Sequence, residues 1–274
     1  MGFLRGNRIE IKSGEQFACM RQAGLVVGRT LELVRQQACA GMTTADIDAI
    51  AREQLRAAGA TSSFLGYHGF PATICVSVNE EVVHGIPGTK PLHEGDLVSV
   101  DFGAIIDGWH GDAAISFGIG HLDETSQRLS DVTERSLWAG LAKAVAGNSL
   151  SDISHAVETC VRADGEWHVI EDYVGHGIGS RMHMEPPVPN YGPPGKGPQL
   201  RVGMALAIEP MVTVGTIDTQ VLEDDWTVVT IDDSRAAHWE HTVCITELGP
   251  WVTTALDGGV ARLRELGVDV PDRP

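Results

Sequence analysis

Residues 97–117, LVSVDFGAIIDGWHGDAAISF, predict a long β-hairpin. The run is rich in Val and Ile and is broken by Asp107-Gly108, a dipeptide that favours a two-residue turn with positive φ at both positions. Pairing Ile106 with Trp109 across this turn places Asp112 opposite Gly103 in the neighbouring strand. By the same register Asp101 lies opposite Ala114.

In this register Asp101 and Asp112 lie on the same face as diagonal neighbours, with Cα atoms about 7–8 Å apart. Two carboxylates at that spacing can share a pair of metal ions about 3.5–4 Å apart. The alternative is two exposed aspartates on a solvated sheet face, and a single β-bulge would reverse their relative facing. The other face of the hairpin is apolar and consists of Val98, Val100, Phe102 and Ala104.

Three further polar residues lie in apolar or glycine-rich surroundings. Glu209 ends the run MALAIE, Glu240 lies inside AAHWEHTVCIT, and His176 lies in VGHGIG. A buried carboxylate is costly unless it is paired or ligated, and glycines permit close approach to an ion. With the two aspartates these residues carry four negative charges, which two divalent cations would balance. Spacing alone leaves open whether the five residues form one site.

Composition limits the classes of function. The chain has 274 residues with 43% hydrophobic content, enough for one large domain or two small ones. A formal net charge of -17 argues against direct nucleic-acid binding. No apolar run reaches the ~18 residues of a membrane span, and the N-terminus has no signal-peptide core. Five cysteines without a CxxC pair indicate reduced thiols, so we expect a soluble, cytoplasmic protein.

The remaining secondary structure follows from capping residues and apolar patterns. Ser13 with Gln16 predicts the start of a first helix, and Gly59 predicts the end of a second helix that begins at Thr43. The loop at 186–200 is rich in Pro and Gly. The first helix spans 13–38 and two more span 122–146 and 150–163, while strands are predicted over 73–79, 97–117, 168–174, 204–214, 226–231 and 237–246.

An internal similarity predicts two related halves. GMTTADIDAIAREQLRAAGA from Gly41 and GNSLSDISHAVETCVRADGE from Gly147 align without gaps, although common helix caps could produce part of the match. We expect an α+β fold with antiparallel sheets inside and helices outside. The predicted organisation is an N-terminal arm (1–12), a single catalytic domain (13–250) and a C-terminal tail (251–274).

The order of the segments resembles type I methionine aminopeptidases, which have the creatinase-like pita-bread fold. The resemblance extends through roughly residues 10–250 and is highly specific, since the motifs are long and occur in the family's order. The matching segments are GYHGFPATICVSVNEEVVHGIPG (66–88), GDLVSVDFGAIIDGWHGDAAISF (95–117), VGHGIGSRMHMEP (174–186), MALAIEPM (204–211) and DDWTVVTIDDSRAAHWEHTVCIT (224–246).

Carried over position by position, the resemblance assigns three groups of site residues. The metal ligands are Asp101, Asp112, His176, Glu209 and Glu240. The catalytic residues are His84, His183 and Glu209. The substrate-binding residues are His84, Tyr67, Phe70, Cys75, Met182, His183 and Trp226. Taken singly, Tyr67 and Trp226 are more readily explained by ordinary packing. Two positions depart from the family, because Phe64 stands where some bacterial relatives have Cys and Met182 where an aromatic residue is frequent.

The resemblance also implies a reaction. Two divalent ions, Co, Mn, Fe or similar, would activate water to remove the initiator methionine when the second residue is small. Glu209 would accept the proton of that water, His183 would polarise the carbonyl oxygen, and His84 would contact the scissile amide or assist the leaving amine.

The partners implied are the N-termini of nascent polypeptides, with transient ribosome contact, and we expect a monomer. Two alternatives stay open. A proline-directed aminopeptidase or dipeptidase of the same fold usually has a sizeable extra N-terminal domain, for which the sequence before His84 is short. A non-catalytic peptide-binding protein of this fold would have lost metal ligands, whereas this chain retains all five.

Overall fold

A computed structural model describes residues 9–272 of the chain. Within these residues there are five α-helices: α1 (Gly14–Gln37), α2 (Thr44–Ala58), α3 (Glu124–Leu141), α4 (Leu150–Asp164) and α5 (Val260–Glu265). The first four confirm the helices that the sequence predicts, to within a few residues at each end.

Fifteen strands lie in the same described range: β1 (Thr61–Ser62), β2 (Cys75–Val78), β3 (Glu81–Val83), β4 (Leu97–Ile106), β5 (Trp109–Gly118), β6 (His168–Val169), β7 (Gly175–Gly177), β8 (Met184–Val188), β9 (Ala205–Ile208), β10 (Met211–Thr213), β11 (Thr219–Val221), β12 (Val228–Thr230), β13 (Ala236–His238), β14 (Glu240–Thr246) and β15 (Gly249–Val252).

The helix ends follow from local chemistry. Ser13 is the N-cap of α1, because its Oγ accepts from the backbone N–H of Gln16 while its own N–H donates to the Gln16 side chain. Thr43 forms the same capping box with Asp46 at the start of α2. Gly59 ends α2 with φ of 64°, a left-handed conformation that favours glycine.

The second half repeats this arrangement. Helices α2 and α4 each have 15 residues and occupy the two similar sequence segments. The N–H groups of Thr43 and Ser149 donate to Asp46 and Asp152 at 2.7 and 2.8 Å. Each cap residue also forms an isolated β-bridge, Thr43 to Pro91 and Ser149 to Gln199.

A nine-stranded antiparallel sheet joins the halves. Its order is β1-β4-β5-β14-β9-β7-β8, with β2 added beside β4 and β15 beside β14. The apolar face of β4 packs against α1 and α2, where buried side chains include Val27, Leu31, Ile47, Val98 and Val100. This is the pita-bread fold of helices around antiparallel sheets that the resemblance implies.

Several predicted strands have different bounds in the structure. Only His168–Val169 of the 168–174 run is a strand, and His176, which lies outside every predicted strand, is in β7. The 204–214 run is divided after β9, at Glu209-Pro210, because proline has no N–H for the strand ladder. The 237–246 run comprises the end of β13 and all of β14. Strand β8 takes the first residues of the 186–200 loop.

The segment expected as a C-terminal tail packs on the body of the protein. Val252, Val260, Leu263 and Val270 are buried together with residues of α3, including Leu137. Residues 251–272 therefore contribute to the core that supports the second half. Among the described helices, none has the length and apolarity needed to cross a membrane.

Candidate metal centre and active site

The predicted hairpin register is confirmed. Strands β4 and β5 pair without a shift from Leu97↔Gly118 to Ile106↔Trp109, which includes Asp101↔Ala114 and Gly103↔Asp112. Asp107 and Gly108 both have positive φ, 50° and 80°, as the two-residue turn requires. Both aspartates therefore face the same side.

Strand β14 lies beside β5 and extends this carboxylate face. Ala114 pairs with Asp101 on one side and with Glu240 on the other, so these three residues form a row across three strands. Asp112 lies next to that row, and its N–H donates to Thr242 Oγ1 at 3.0 Å. The small side chain of Ala114 leaves room between the acids.

His176 and Glu209 come from the part of the same sheet that continues beyond β14. His176 in β7 pairs with Ala207 in β9, and Glu209 follows β9 by one residue. His176 Nε2 lies 3.5 Å from Glu209 Oε1 and 3.9 Å from Asp112 Oδ2. His176 Nδ1 lies 3.0 Å from the carbonyl oxygen of Gly177, which can only accept. The proton is therefore on Nδ1, and Nε2 presents a lone pair to the carboxylates, as in a metal ligand.

The charges at this site fit divalent cations. Burial raises the pKa of Asp112 to about 7. Burial, followed by the neighbouring carboxylates, raises the pKa values of Asp101, Glu209 and Glu240 well above their ordinary range. Asp101 Oδ1, Asp112 Oδ1 and Glu240 Oε1 are buried without a hydrogen-bond partner. Such crowded, unpartnered oxygens are expected where cations bind.

Three of the residues already meet the geometric requirement for a metal ion. Each of Asp112, His176 and Glu240 offers one ligand atom, and these three atoms lie within 4.8 Å of one another. Oxygen-rich sets with one imidazole suit Mn, Fe, Co or Mg better than thiolate zinc sites do. The structure brings all five sequence-predicted ligands to one end of a cavity of about 310 Å³.

The other end of that cavity is apolar. Phe70 packs edge-on against Trp226 with ring centroids 5.1 Å apart, and it meets Phe64 in the same way at 6.4 Å. Burial and Asp101 raise the pKa of the Cys75 thiol, so it is a neutral wall residue. Each residue that the sequence assigned to the substrate pocket lines this cavity: Tyr67, Phe70, Cys75, Met182, Trp226, His84 and His183.

The two non-ligand histidines lie between the acids and the apolar end. His183 Nδ1 is 2.7 Å from the Tyr67 hydroxyl, and the His183 ring packs on that of His176. Burial and the nearby His183 lower the pKa of His84 to about 4. Burial and His68 lower the pKa of His183. Both imidazoles are therefore neutral near pH 7.

Sequence analysis missed several residues of this region. Tyr173 and Met211 also line the cavity, and His110 approaches from the hairpin, where its Nδ1 is 2.9 Å from Ser63 Oγ. His238 lies against Glu209. A histidine inside the apolar run AAHWEH is a signal that could have identified His238. The others carry no local sequence signal, because distant segments bring them to the cavity.

Comparison with known proteins identifies the family. The model of metallopeptidase family M24 matches residues 18–247. The chain belongs to this family. It is accordingly a hydrolase of a metallopeptidase family, and three residues of its cavity could hold a metal ion.

Several relatives of this M24 chain are similar over nearly their whole length. Methionine aminopeptidase 1 of Mycobacterium tuberculosis is 52% identical over 92% of this chain and 97% of its own length. Methionine aminopeptidase of Clostridium acetobutylicum is 52% identical over 90% and 98%. The crystal structure of Thermotoga maritima methionine aminopeptidase is 43% identical and superimposes with a TM-score of 0.89, covering 90% of this chain and all of that one.

Proline-specific peptidases share the fold at much lower identity. Prolidase from Pyrococcus furiosus is 18% identical with a TM-score of 0.71, and the match covers 89% of this chain and 65% of that chain. At this identity the likeness concerns the fold alone.

Proposed function

We propose that this chain is a methionine aminopeptidase that removes the N-terminal methionine from newly made proteins whose second residue is small. One observation carries the proposal: a single cavity of about 310 Å³ is lined both by aromatic and other apolar side chains and by the five proposed metal ligands. We infer that an N-terminal residue would bind with its side chain in the apolar end of the cavity and its first peptide bond beside the acids. The near full-length methionine aminopeptidase relatives support the same assignment.

The proposed ligand set is Asp101, Asp112, His176, Glu209 and Glu240, which together would hold two divalent ions. The unpartnered carboxylate oxygens and the Nε2 lone pair of His176 support this set. When bound, such ions would lower the pKa of a water molecule and polarise the peptide carbonyl. The count of two follows from the four carboxylates, whose combined charge two divalent cations would balance.

The protein's own groups supply the proton transfers and orientation. Glu209 is the proposed proton acceptor, as the resemblance to the family implies, and its carboxylate lines the cavity. His183 is held by Tyr67, and because the tyrosine hydroxyl can donate to Nδ1, the N–H on Nε2 is free to donate to a carbonyl oxygen. His84 is neutral and lies against Trp226, where it can contact the scissile amide.

Apolar contacts explain the choice of the first residue. Phe64, Phe70, Cys75, Met182 and Trp226 provide carbon and sulfur surfaces, and methionine is unbranched and polarisable enough to fit among them. A charged or hydrogen-bonding side chain would lose its solvation there without compensation.

The proposal is tested by comparing peptides with added Mn²⁺ or Co²⁺. Release of methionine from Met-Ala-Ser should be efficient, whereas an Xaa-Pro peptide should stay intact. Met-Gly, Met-Ala and Met-Ser ends should be cut, and Met-Leu and Met-Lys ends should not. Preferential cleavage of the Xaa-Pro peptide would contradict the proposal, and equal cleavage of Met-Leu and Met-Gly would contradict its claim about the second residue.

The setting of this activity is part of the proposal. We propose a cytoplasmic monomer with residues 13–250 as its catalytic domain, supported by five free cysteines. With a net charge of -17 the protein gains little from the phosphates of ribosomal RNA. Ribosome contact should therefore be transient, and tight, salt-sensitive binding to purified ribosomes would contradict this.

A further inference from the structure

His238 is a buried histidine with no role in the reaction proposed above. Its exposed fraction is 1%, and its Nε2 has no hydrogen-bond partner among the described residues. Buried polar nitrogens nearly always have a partner, so this atom calls for an explanation. The carboxylate oxygen Oε2 of Glu209 lies 3.8 Å from it, within a small side-chain adjustment of hydrogen-bond distance.

The backbone of His238 is fixed by the carboxylate-bearing face of the β4–β5 hairpin. Its N–H donates to Ser116 Oγ at 2.9 Å, and Ser116 Oγ donates to its carbonyl oxygen at 2.8 Å. Ser99 Oγ lies 2.7 Å from Ser116 Oγ and completes the contact. Ser99 and Ser116 are a cross-strand pair on the same face as Asp101, so one sheet face positions both a metal ligand and His238.

Strand β10 and the residue that precedes it hold the backbone at His238 from the other side. His238 pairs with Met211 in β10, and the N–H of Trp239 donates to the carbonyl oxygen of Pro210 at 3.3 Å. Both contacts are next to Glu209 in the chain. The backbone of His238 is thus fixed between the hairpin and the Glu209-Pro210 junction, and its buried imidazole lies beside Glu209.

The two carboxylate oxygens of Glu209 face two different imidazoles. Oε1 lies 3.5 Å from His176 Nε2, whose lone pair points at the ligand cluster. Oε2 faces His238 Nε2. A lone pair on that nitrogen would repel the carboxylate, whereas an N–H would attract it. The tautomer with the proton on Nε2 is therefore favoured.

We propose that His238 is a positioning residue that donates from Nε2 to Oε2 of Glu209 and fixes the orientation of that carboxylate. Oε1 then remains directed at the ligand cluster, where the reaction needs a proton acceptor. This inference rests on the proposed role of Glu209, and it adds a residue that acts through another group without touching the substrate.

Two substitutions separate this role from simple packing. His238→Leu replaces the imidazole with an apolar side chain of similar size and so removes the N–H donor. The kcat for Met-Ala-Ser should therefore fall by about 10- to 100-fold while KM stays unchanged. His238→Gln keeps an N–H donor at comparable reach and should restore most of kcat. The metal content of both variants should equal that of the wild type. Wild-type kcat in His238→Leu, equal damage in both variants, or metal loss in His238→Leu would each overturn the proposal.

A spectroscopic measurement keeps the inference testable if the variants fail to fold. The ¹⁵N chemical shifts of the His238 ring, recorded on the wild-type protein with and without Zn²⁺, distinguish a protonated Nε2 from an unprotonated one. We expect the protonated form in both states. An unprotonated Nε2 would overturn the proposal, whereas absence of methionine release from the wild type would instead count against the proposed function.

Discussion

The two halves of the molecule share a helical plan but supply the candidate metal centre differently. Helices α2 and α4 match in length, position and capping, and strands from both halves join in the nine-stranded sheet. The first half supplies Asp101 and Asp112 from one hairpin with an unbroken register. The second half supplies three ligands from separate places: His176 in β7, Glu209 beyond β9 and Glu240 at the start of β14.

This difference shows which parts of a site are encoded locally. In the first half a two-residue turn determines the relative position of both aspartates, because every pair in the ladder follows from it. In the second half the ligands meet only because β14 inserts between β5 and β9. Changes in the hairpin turn should therefore alter the positions of the two aspartates of the first half. The positions of the three second-half residues should instead respond to changes in the packing of distant segments.

The largest expected effect is the loss of metal on removing one ligand from either half. Asp112→Asn and Glu240→Gln should each keep the fold and reduce activity by at least about 100-fold, because a neutral amide binds a divalent ion weakly. Metal content, circular dichroism and methionine release measure this. Asp107→Asn is the matched control, since Asp107 is exposed at the turn and Asn suits the same turn type. Full activity of either ligand variant after chelation would contradict the two-metal site.

Asp112→Asn should also change how the stability of the metal-free protein depends on pH. Burial raises the pKa of Asp112 to about 7 from an ordinary 3.8. Between these values the folded state keeps a proton that the unfolded chain releases, so this group makes the wild type less stable as pH rises. Relative to the wild type, chelated Asp112→Asn should gain stability from pH 3.8 to pH 7 and then level off. A Tm difference that stays constant over this range would contradict the assignment.

His84 should affect turnover without affecting the metal. It lies in the cavity but outside the ligand cluster, so His84→Ala should lower kcat by about 100-fold or more while the metal content stays that of the wild type. Rapid-mixing kinetics and metal analysis of the same preparation make the comparison. Loss of the metal ions from His84→Ala would show that His84 is a metal ligand. The first half would then supply three ligands instead of two.

Much of the first half could be predicted from its sequence. Ser13, Thr43 and Gly59 fix the helix ends, and Asp107-Gly108 fixes the hairpin register, because each acts through residues within a few positions of itself. The α+β fold class follows from the same patterns together with the repeated helical segments. These are the places where local conformational preference and the final structure agree.

The second half was predicted less well, for reasons of long-range pairing. β7 was not expected as a strand, because glycines around His176 favour a turn unless neighbouring strands satisfy the backbone. The division at Glu209-Pro210 and the contact between His238 and Glu209 also depend on segments far apart in the chain. The grouping of the five ligands came from resemblance to a family, since spacing alone left it open.

A smaller effect tests the hairpin turn directly. Gly108 has φ of 80°, and an added Cβ would meet nothing within 4 Å. Gly108→Ala should therefore destabilise the protein by about 1–2 kcal/mol through backbone strain alone. Gly14→Ala is the control, because Gly14 lies in α1 with equally open space and no positive φ. Urea unfolding of both variants gives the difference, and equal stabilities would show that the positive φ at Gly108 causes no backbone strain in Gly108→Ala.

The smallest expected effect compares the two helix caps that make the halves alike. Asp46 accepts from the N–H and the Oγ1 of its own cap residue, whereas Asp152 accepts from the N–H of its cap residue and from the N–H of Gly195 at 2.8 Å. Asp46→Ala therefore breaks bonds only within one capping box, whereas Asp152→Ala also frees the Pro/Gly-rich loop and should lower the stability by about 1 kcal/mol more. Thermal unfolding of the two variants measures the difference, and Asp152→Asn, which retains an acceptor oxygen, should recover part of it. If Asp46→Ala proved the more harmful, the capping box of the first half would be the stronger one, and the loop contact of Asp152 would contribute little.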